Sequence, residues 1–310
     1  MNLNSKIFIS GHRGLVGSSI LQFLKKKNFN KIFTVEKKKI DLRNQNKVLK
    51  YFRKYKFDYV INCAGKVGGI HANNKYKADF IYDNIAIQNN IIYSSYLTNV
   101  KSLIFLGSSC IYPKNAKIPM NEDALLTGKL EETNEPYAVA KIAGIKMCES
   151  FNYQYKTNFK CLMPCNLYGP NDNYDLTTSH FLPALIKKIY HAKKKKCKKV
   201  VLWGTGKPMR EIMYVDDLAE ACLFFLKKKT THSLINIGSG IEKSILEFAK
   251  IIAKKIDYKV KFEFDRSKPD GMKRKLVDRS LANKYGWKAK VSLNEGLNKT
   301  LDHYIKQEIS

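Results

Sequence analysis

The chain has 310 residues and a formal net charge of +29; its length suits one large α/β domain or a core with a smaller lobe, and its 44% hydrophobic content excludes a disordered chain. No apolar run approaches the ~20 residues that span a bilayer, and "MNLNSKIFIS" enters a strand with no leader pattern, so a cytoplasmic protein without membrane contact is expected. Only 7 of the 56 basic residues are arginine, the better reader of bases and phosphates, so nucleic acid is not the expected partner and the positive field suits a small anionic substrate.

In chain order, "KIFIS" (6–10) reads as a strand that stops at glycine, and 15–27 as a helix with Leu15, Ile20, Leu21 and Leu24 inward. Strand 31–35, helix 45–55, strand 59–65, helix 83–97, strand 102–108, helix 135–155 and strand 159–169 continue the rhythm. Strands alternating with helices predict right-handed crossovers and a parallel, doubly wound α/β sheet. Beyond residue 170 the rhythm loosens into helices over 180–195, 216–229 and 244–256, with strands near 200–204, 210–215, 234–240 and 259–264. Residues 1–170 are the expected Rossmann-type cofactor domain, and 171–310 the expected substrate lobe, with segments returning to the core. Seven scattered cysteines, with no CxxC pair, predict neither a disulfide framework nor a metal site.

Between the first strand and first helix, Gly11, His12, Arg13, Gly14, Leu15, Val16 and Gly17 form a GxxGxxG loop. Glycines there allow a tight turn and bring backbone amides to a pyrophosphate at the positive helix end, so dinucleotide binding is expected. The second strand ends in "TVEKKK", where Glu36 suits the ribose 2′-hydroxyl of NAD and Lys37 the 2′-phosphate of NADP. The sequence gives both signals, and Lys37 to Lys39 tilt the reading toward NADP(H).

"FLGSSCIYP" (105–113) opens a buried strand onto a loop carrying Ser108 and Cys110. "YAVAK" then places Tyr137 and Lys141 four apart on one helix face. A lysine there is expected to lower the phenol pKa and make it an acid–base group, while Ser108 polarises the same carbonyl. Tyr190 and Lys194 have the same spacing but do not open the helix after the serine-bearing strand.

With "GHRGLVGS", "KVGGIHANN", "GSSCIYP", "NEPYAVAKIAGIK", "MPCNLYGPND", "VLWGTGKPMRE" and "SKPDGMKRKLVD", the chain resembles the extended short-chain dehydrogenase/reductases, and among them the GDP-L-fucose synthases, from residue 11 to about 278. The resemblance implies 3,5-epimerisation of GDP-4-dehydro-6-deoxy-D-mannose, then reduction of its C4 ketone by NADPH. It implies a GDP-sugar as partner and a homodimer formed through helices 83–97 and 135–155. Ser108, Tyr137 and Lys141 match the reducing triad, and Cys110 with His180 the epimerising pair. Leu106, Gly107, Ser108, Ser109, Pro164, Cys165, Asn166, Leu167 and His180 match positions lining the nicotinamide half. Lys188, Trp203, Arg210 and Asp270 match positions that hold the GDP-sugar, with Lys275 a further anion contact. Lys188 stands where arginine is common in the family, replacing a fork with a point charge. The alternative within enzymes is another nucleotide-sugar 4-reductase, 4-epimerase or dehydratase. A dehydratase would want acidic residues where Cys110 and Ile111 follow the serine, and a plain reductase does not need both Cys110 and His180. A non-catalytic NADP-binding protein is the alternative of another class, against which the intact triad stands.

Overall fold

Strands covered by helices on both faces read as unbroken apolar runs. β1 (Ile7–Ser10), β3 (Tyr59–Asn62) and β4 (Ser102–Leu106) are buried at every residue. The computed structural model describes residues 1–268 and 270–309, so Pro269 of the "SKPDGMKRKLVD" run lies outside the described residues. Helices α1 (Leu15–Lys26), α2 (Gln45–Tyr55), α3 (Ile70–Lys75), α4 (Lys77–Leu97) and α5 (Glu135–Tyr155) alternate with β1, β2 (Ile32–Thr34), β3, β4 and β5 (Phe159–Pro164). The main sheet is parallel throughout, ordered β2-β1-β3-β4-β5 and closed on its far side by β9 (Leu234–Ile237). The order reverses at β1, so the loops after β1 and β3 part there and open a crevice at the carboxyl edge.

The expected strand over 159–169 is two strands. β5 ends at Pro164 in the main sheet, and β6 (Asn166–Tyr168) pairs instead with β8 (Met209–Tyr214). Proline has no N–H with which to continue a ladder, and the chain changes sheets at that point. α6 (Phe181–Lys194) and β7 (Lys199–Trp203) lead to β8, and α7 (Val215–Lys227) to β9. β10 (Glu242–Ser244), α8 (Ile245–Lys255), β11 (Lys261–Asp265), β12 (Arg274–Lys275), α9 (Ser280–Lys284) and α10 (Leu293–Ile309) complete the chain.

Two apolar cores result. One surrounds the main sheet and takes in Leu218, Ile235, Val277 and Trp287 from the later chain. The other joins Leu182, Ile189, Leu202, Ile212, Phe248 and Leu301 beneath the carboxyl edge. α4 begins at Lys77, six residues before the expected start, while α3, α9 and α10 have no counterpart in the sequence reading. The polar "NNKYKADF" segment masks the start of α4, and α10 shows its apolar face only once Leu297, Leu301 and Tyr304 meet the second core.

Candidate active site

The glycine loop builds the first cleft. Gly14 caps α1 with extended backbone, no side-chain cap and no acidic residue in the first turn, leaving the helix N-terminus ready for an anion. Ser10 Oγ accepts the Cys63 and Ala64 amides at 3.1 and 3.0 Å, holding the loop after β3 against the end of β1. A Cβ on Gly17 would lie 2.2 Å from the Gly11 carbonyl oxygen, so only glycine fits the turn. On Gly14 it would meet that same oxygen at an ordinary 3.7 Å, so the protein itself leaves room there beside a 730 Å³ cleft. Uncapped amides, that room and Lys37 on the wall fit a dinucleotide with its phosphates against α1.

Every residue expected to touch the cofactor lines this cleft except His12 and Arg13. Arg13 instead forms an exposed ion pair with Glu36. Desolvation in the loop and the Arg13 charge both lower the His12 pKa, against a smaller opposing pull from Glu36. Arg43, unassigned from the sequence, lines the cleft but is held by Asp41 at 2.6 Å and Asp83 at 2.8 Å. The Arg43 guanidinium holds Asp41 down at about 2. Lys37 is thus an exposed cation of this wall that makes no close ion pair among the described residues, its charge acting only at longer range on Asp41.

The residues expected to react gather at the carboxyl end of β4. Ser108 caps a 3₁₀ turn over Ser109–Ile111, its Oγ accepting the Cys110 amide at 3.4 Å, and Cys110 is buried. α5 starts through Pro136 in its first turn, a position where the missing N–H costs nothing. One turn in, Lys141 Nζ donates to the Leu106 carbonyl at 2.9 Å and lies 5.7 Å from the Tyr137 ring centre. Burial lowers Lys141 to about 8. The Tyr137 pKa was expected to fall, but burial pushes it up, with the nearby Cys110 thiol adding to the rise. The phenol has lost water, and Lys141 directs its ammonium at a carbonyl.

His180 caps α6 without using its side chain. The "KVGGIHANN" loop holds the preceding residues, with the Gly69 amide donating to the Thr178 carbonyl at 2.9 Å. A Cβ on Gly69 would lie 2.4 Å from the Ser179 carbonyl oxygen. The His180 ring is open to the cleft, yet enclosed by its walls. That desolvation lowers its pKa, and the Lys275 charge lowers it further.

A second cleft of 320 Å³ contains Lys188, Trp203, Arg210, Asp270 and Lys275, the five residues expected to hold the substrate, together with Cys110 of the expected epimerising pair. Lys188 Nζ lies 5.1 Å from the half-exposed Trp203 ring. Arg210 is buried and donates to the Met209 and Met272 carbonyls at 2.8 and 2.7 Å. Burial lowers the pKa values of Lys188, Arg210 and Lys275. Asp270 borders the cleft, but its carboxylate accepts the Thr205 amide at 2.7 Å and hydroxyl at 2.8 Å, fixing the Gly204 turn. Three desolvated cations beside a committed carboxylate make a site for an anion. His71 and Glu131 also line it, the first inside a quoted motif and the second just ahead of one, with no role read from either. The competing Tyr190 packs edge-on against Tyr304 at 5.4 Å in the second core. Ser108, Tyr137 and His180 line both clefts, so the two meet at these side chains.

The profile of the NAD dependent epimerase/dehydratase family matches residues 7–238. The chain is 49% identical to GDP-L-fucose synthase 1 of Arabidopsis thaliana, over 98% of this chain and 94% of that protein. It is 44% identical to GDP-L-fucose synthase of Escherichia coli (strain K12), over 98% and 97%. Among solved structures, MlghC, a GDP-mannoheptose C4 reductase from Campylobacter jejuni with NADP bound, superposes with a TM-score of 0.90 at 38% identity, over 98% and 99%.

The two glycines separate steric need from ligand approach. Gly17→Ala should cost about 1–3 kcal/mol of stability and abolish dinucleotide binding. Gly14→Ala should leave the melting temperature of the free protein within about 2 °C and still weaken NADPH at least about tenfold. Thermal unfolding and fluorescence titration check both. Lys141 carries a stability cost of its own. Its folded pKa lies below the unfolded 10.5, so the unfolded chain binds more protons between about pH 8 and 10, and the group adds stability as pH rises through that window. Below it the full cost remains, roughly 3 kcal/mol. Lys141→Met should therefore melt higher at pH 7 and flatten the alkaline rise. At the adenosine end, Glu36→Gln releases Arg13 and removes a negative charge. NADPH should bind about fivefold tighter with NADH little changed, the ~1 kcal/mol of one charge pair across water, as read by isothermal titration.

Proposed function

The chain belongs to the NAD dependent epimerase/dehydratase family, and from that premise we propose that it makes GDP-L-fucose. It inverts C3 and C5 of GDP-4-dehydro-6-deoxy-D-mannose and reduces the C4 ketone. The observation that carries this reading is that Cys110 and His180 occupy one cleft whose inner wall, Ser108 and Tyr137, is shared with the dinucleotide cleft.

A ketone at C4 acidifies the protons on both neighbouring carbons. Ser108 and Tyr137 hydrogen-bond the ketone oxygen and stabilise the enolate that forms when either proton leaves. At each carbon one member of the Cys110–His180 pair takes the proton, and the other returns one to the opposite face, inverting the centre with no net change in protons. NADPH, bound in the first cleft, supplies the hydride for the reduction. Tyr137 gives its proton to the C4 oxygen, and Lys141 steadies the phenolate left behind. Arg210, Lys188 and Lys275 hold the diphosphate, with Trp203 offering a flat face. Gly11, Gly14 to Gly17 and Lys37 hold the dinucleotide. Residues 1–170 serve the cofactor, and 171–310 mainly the substrate.

No described helix is long and apolar enough to cross a membrane. We place the enzyme in the cytoplasm as a homodimer joined through α4 and α5. Support comes from the exposed Tyr82, Ile85, Val139 and Tyr153 on those helices.

With GDP-4-dehydro-6-deoxy-D-mannose and NADPH, NMR of the product should identify GDP-L-fucose. A reduced sugar with C3 and C5 unchanged would make the protein a C4 reductase instead, the activity named for its heptose-reducing neighbour. Cys110→Ser should slow deuterium exchange at C3 and C5 about a hundredfold and affect reduction of the already epimerised ketone far less. Tyr137→Phe should abolish hydride transfer with NADPH binding kept.

A further inference from the structure

The turn that carries Cys110 is weakly held on its leading side. The Cys110 amide reaches Ser108 Oγ at 3.4 Å, and the Ile111 amide reaches the Ser108 carbonyl at 3.2 Å. On its trailing side it is held firmly. Tyr112, fully buried, donates its hydroxyl to Asn236 Oδ1 at 2.6 Å. Asn236, on β9 and fully buried, donates Nδ2 to the Met120 carbonyl at 2.9 Å, while its own amide donates to Glu122 Oε1 at 2.7 Å. That Met120 carbonyl also accepts the Asp278 amide at 2.8 Å, and the Met120 amide donates to the Leu276 carbonyl at 2.9 Å. The Val277 amide donates to buried Glu211 at 3.0 Å, the neighbour of Arg210 in β8. Lys275 pairs directly with Arg210 between β12 and β8. A chain of hydrogen bonds and short backbone steps, buried at Tyr112, Asn236, Met120, Val277 and Glu211, therefore runs from the Cys110 turn to the strands bearing Lys275 and Arg210.

The hydride-transfer side has a separate support, the bond from Lys141 to Leu106. His180, the partner of Cys110 in proton transfer, is placed independently of this chain, by the bond from Gly69 to Thr178. The Tyr112–Asn236 chain thus fixes the thiol relative to the groups that hold the sugar nucleotide, and leaves Tyr137 and Lys141 where α5 puts them.

We propose that Tyr112 and Asn236 are positioning residues for proton transfer at Cys110, setting its distance from a substrate held by Arg210 and Lys275. Neither touches the substrate cleft, and both act through the turn. The inference rests on the proposed epimerase–reductase activity. A misplacement of about 1 Å at a reacting group can cost up to ~100-fold, whereas removing one hydroxyl from a buried tyrosine leaves the packing almost unchanged.

Tyr112→Phe in the full-length protein tests this. With NADP⁺ present to fill the first cleft without reduction, deuterium exchange at C3 and C5 of GDP-4-dehydro-6-deoxy-D-mannose reads proton transfer. Oxidation of GDP-L-fucose by NADP⁺ reads hydride transfer alone. Exchange should fall about tenfold or more, oxidation should stay within about twofold, and KM for the GDP-sugar should hold. Asn236→Ala breaks the same chain from the β9 side and should move the same ratio. The double variant should be no slower than the slower single one, because both cut one chain. Equal losses in exchange and oxidation, unchanged exchange, or additive losses in the double variant would overturn the assignment. Absence of exchange in the wild type would instead overturn the proposed function.

Discussion

Ser108, Tyr137 and His180 face two clefts at once, and three different parts of the fold must agree to put them there. Ser108 follows the end of β4, Tyr137 opens α5, and His180 caps α6 from the second core. Two tethers hold them together. The Lys141–Leu106 bond joins α5 to β4, and the Gly69–Thr178 bond joins the loop after β3 to the segment before α6. A ketone at this shared wall can be reached by a proton shuttle on one side and a hydride donor on the other. Neither cleft alone offers that combination, so the two-step chemistry depends on the wall.

The free protein carries a cost for this arrangement. Lys141, Lys188, Arg210 and Lys275 are desolvated enough that burial lowers each pKa, and Asp270 already serves Thr205. Such a site is destabilised until an anion occupies it, so a bound diphosphate contributes stability as well as orientation. The formal charge of +29 acts differently. Most of its lysines are exposed and screened within roughly 10 Å at ordinary ionic strength. They raise the local concentration of anions, while the enclosed cations of the second cleft are placed to hold one.

Much of this was legible in the sequence because the features are local. The GxxGxxG spacing places Gly11, Gly14 and Gly17 on one turn, and four-residue spacing puts Tyr137 and Lys141 on one face whatever the rest of the chain does. Cys110, His180 and the cations of the second cleft came through the motif resemblance, and the fold brings them together. Features set by distant partners stayed hidden. Nothing near Asp270 announces that Thr205 will take its carboxylate, and nothing near Arg13 announces its pairing with Glu36. The break at Cys165 is visible only once β6 finds β8, and the use of Tyr112 only once β9 brings Asn236 beside it. The expected fall in the Tyr137 pKa failed for the same reason. Spacing fixes that Lys141 is near, but burial decides the sign.

That sign has a consequence for the order of events. A phenol whose pKa is raised keeps its proton throughout the neutral range, so Tyr137 can donate a hydrogen bond to the C4 oxygen while protons leave C3 and C5. An enolate oxygen is a weaker base than the alkoxide that reduction creates, so a strongly held phenolic proton is shared with the first and passed fully only to the second. A tyrosine acidified in advance would lose its proton too early and leave the enolate without a donor. Cys110 contributes to the rise through the negative charge its sulfur carries as a thiolate, which couples the two groups physically: a proton taken from the sulfur makes the phenol hold its own more tightly.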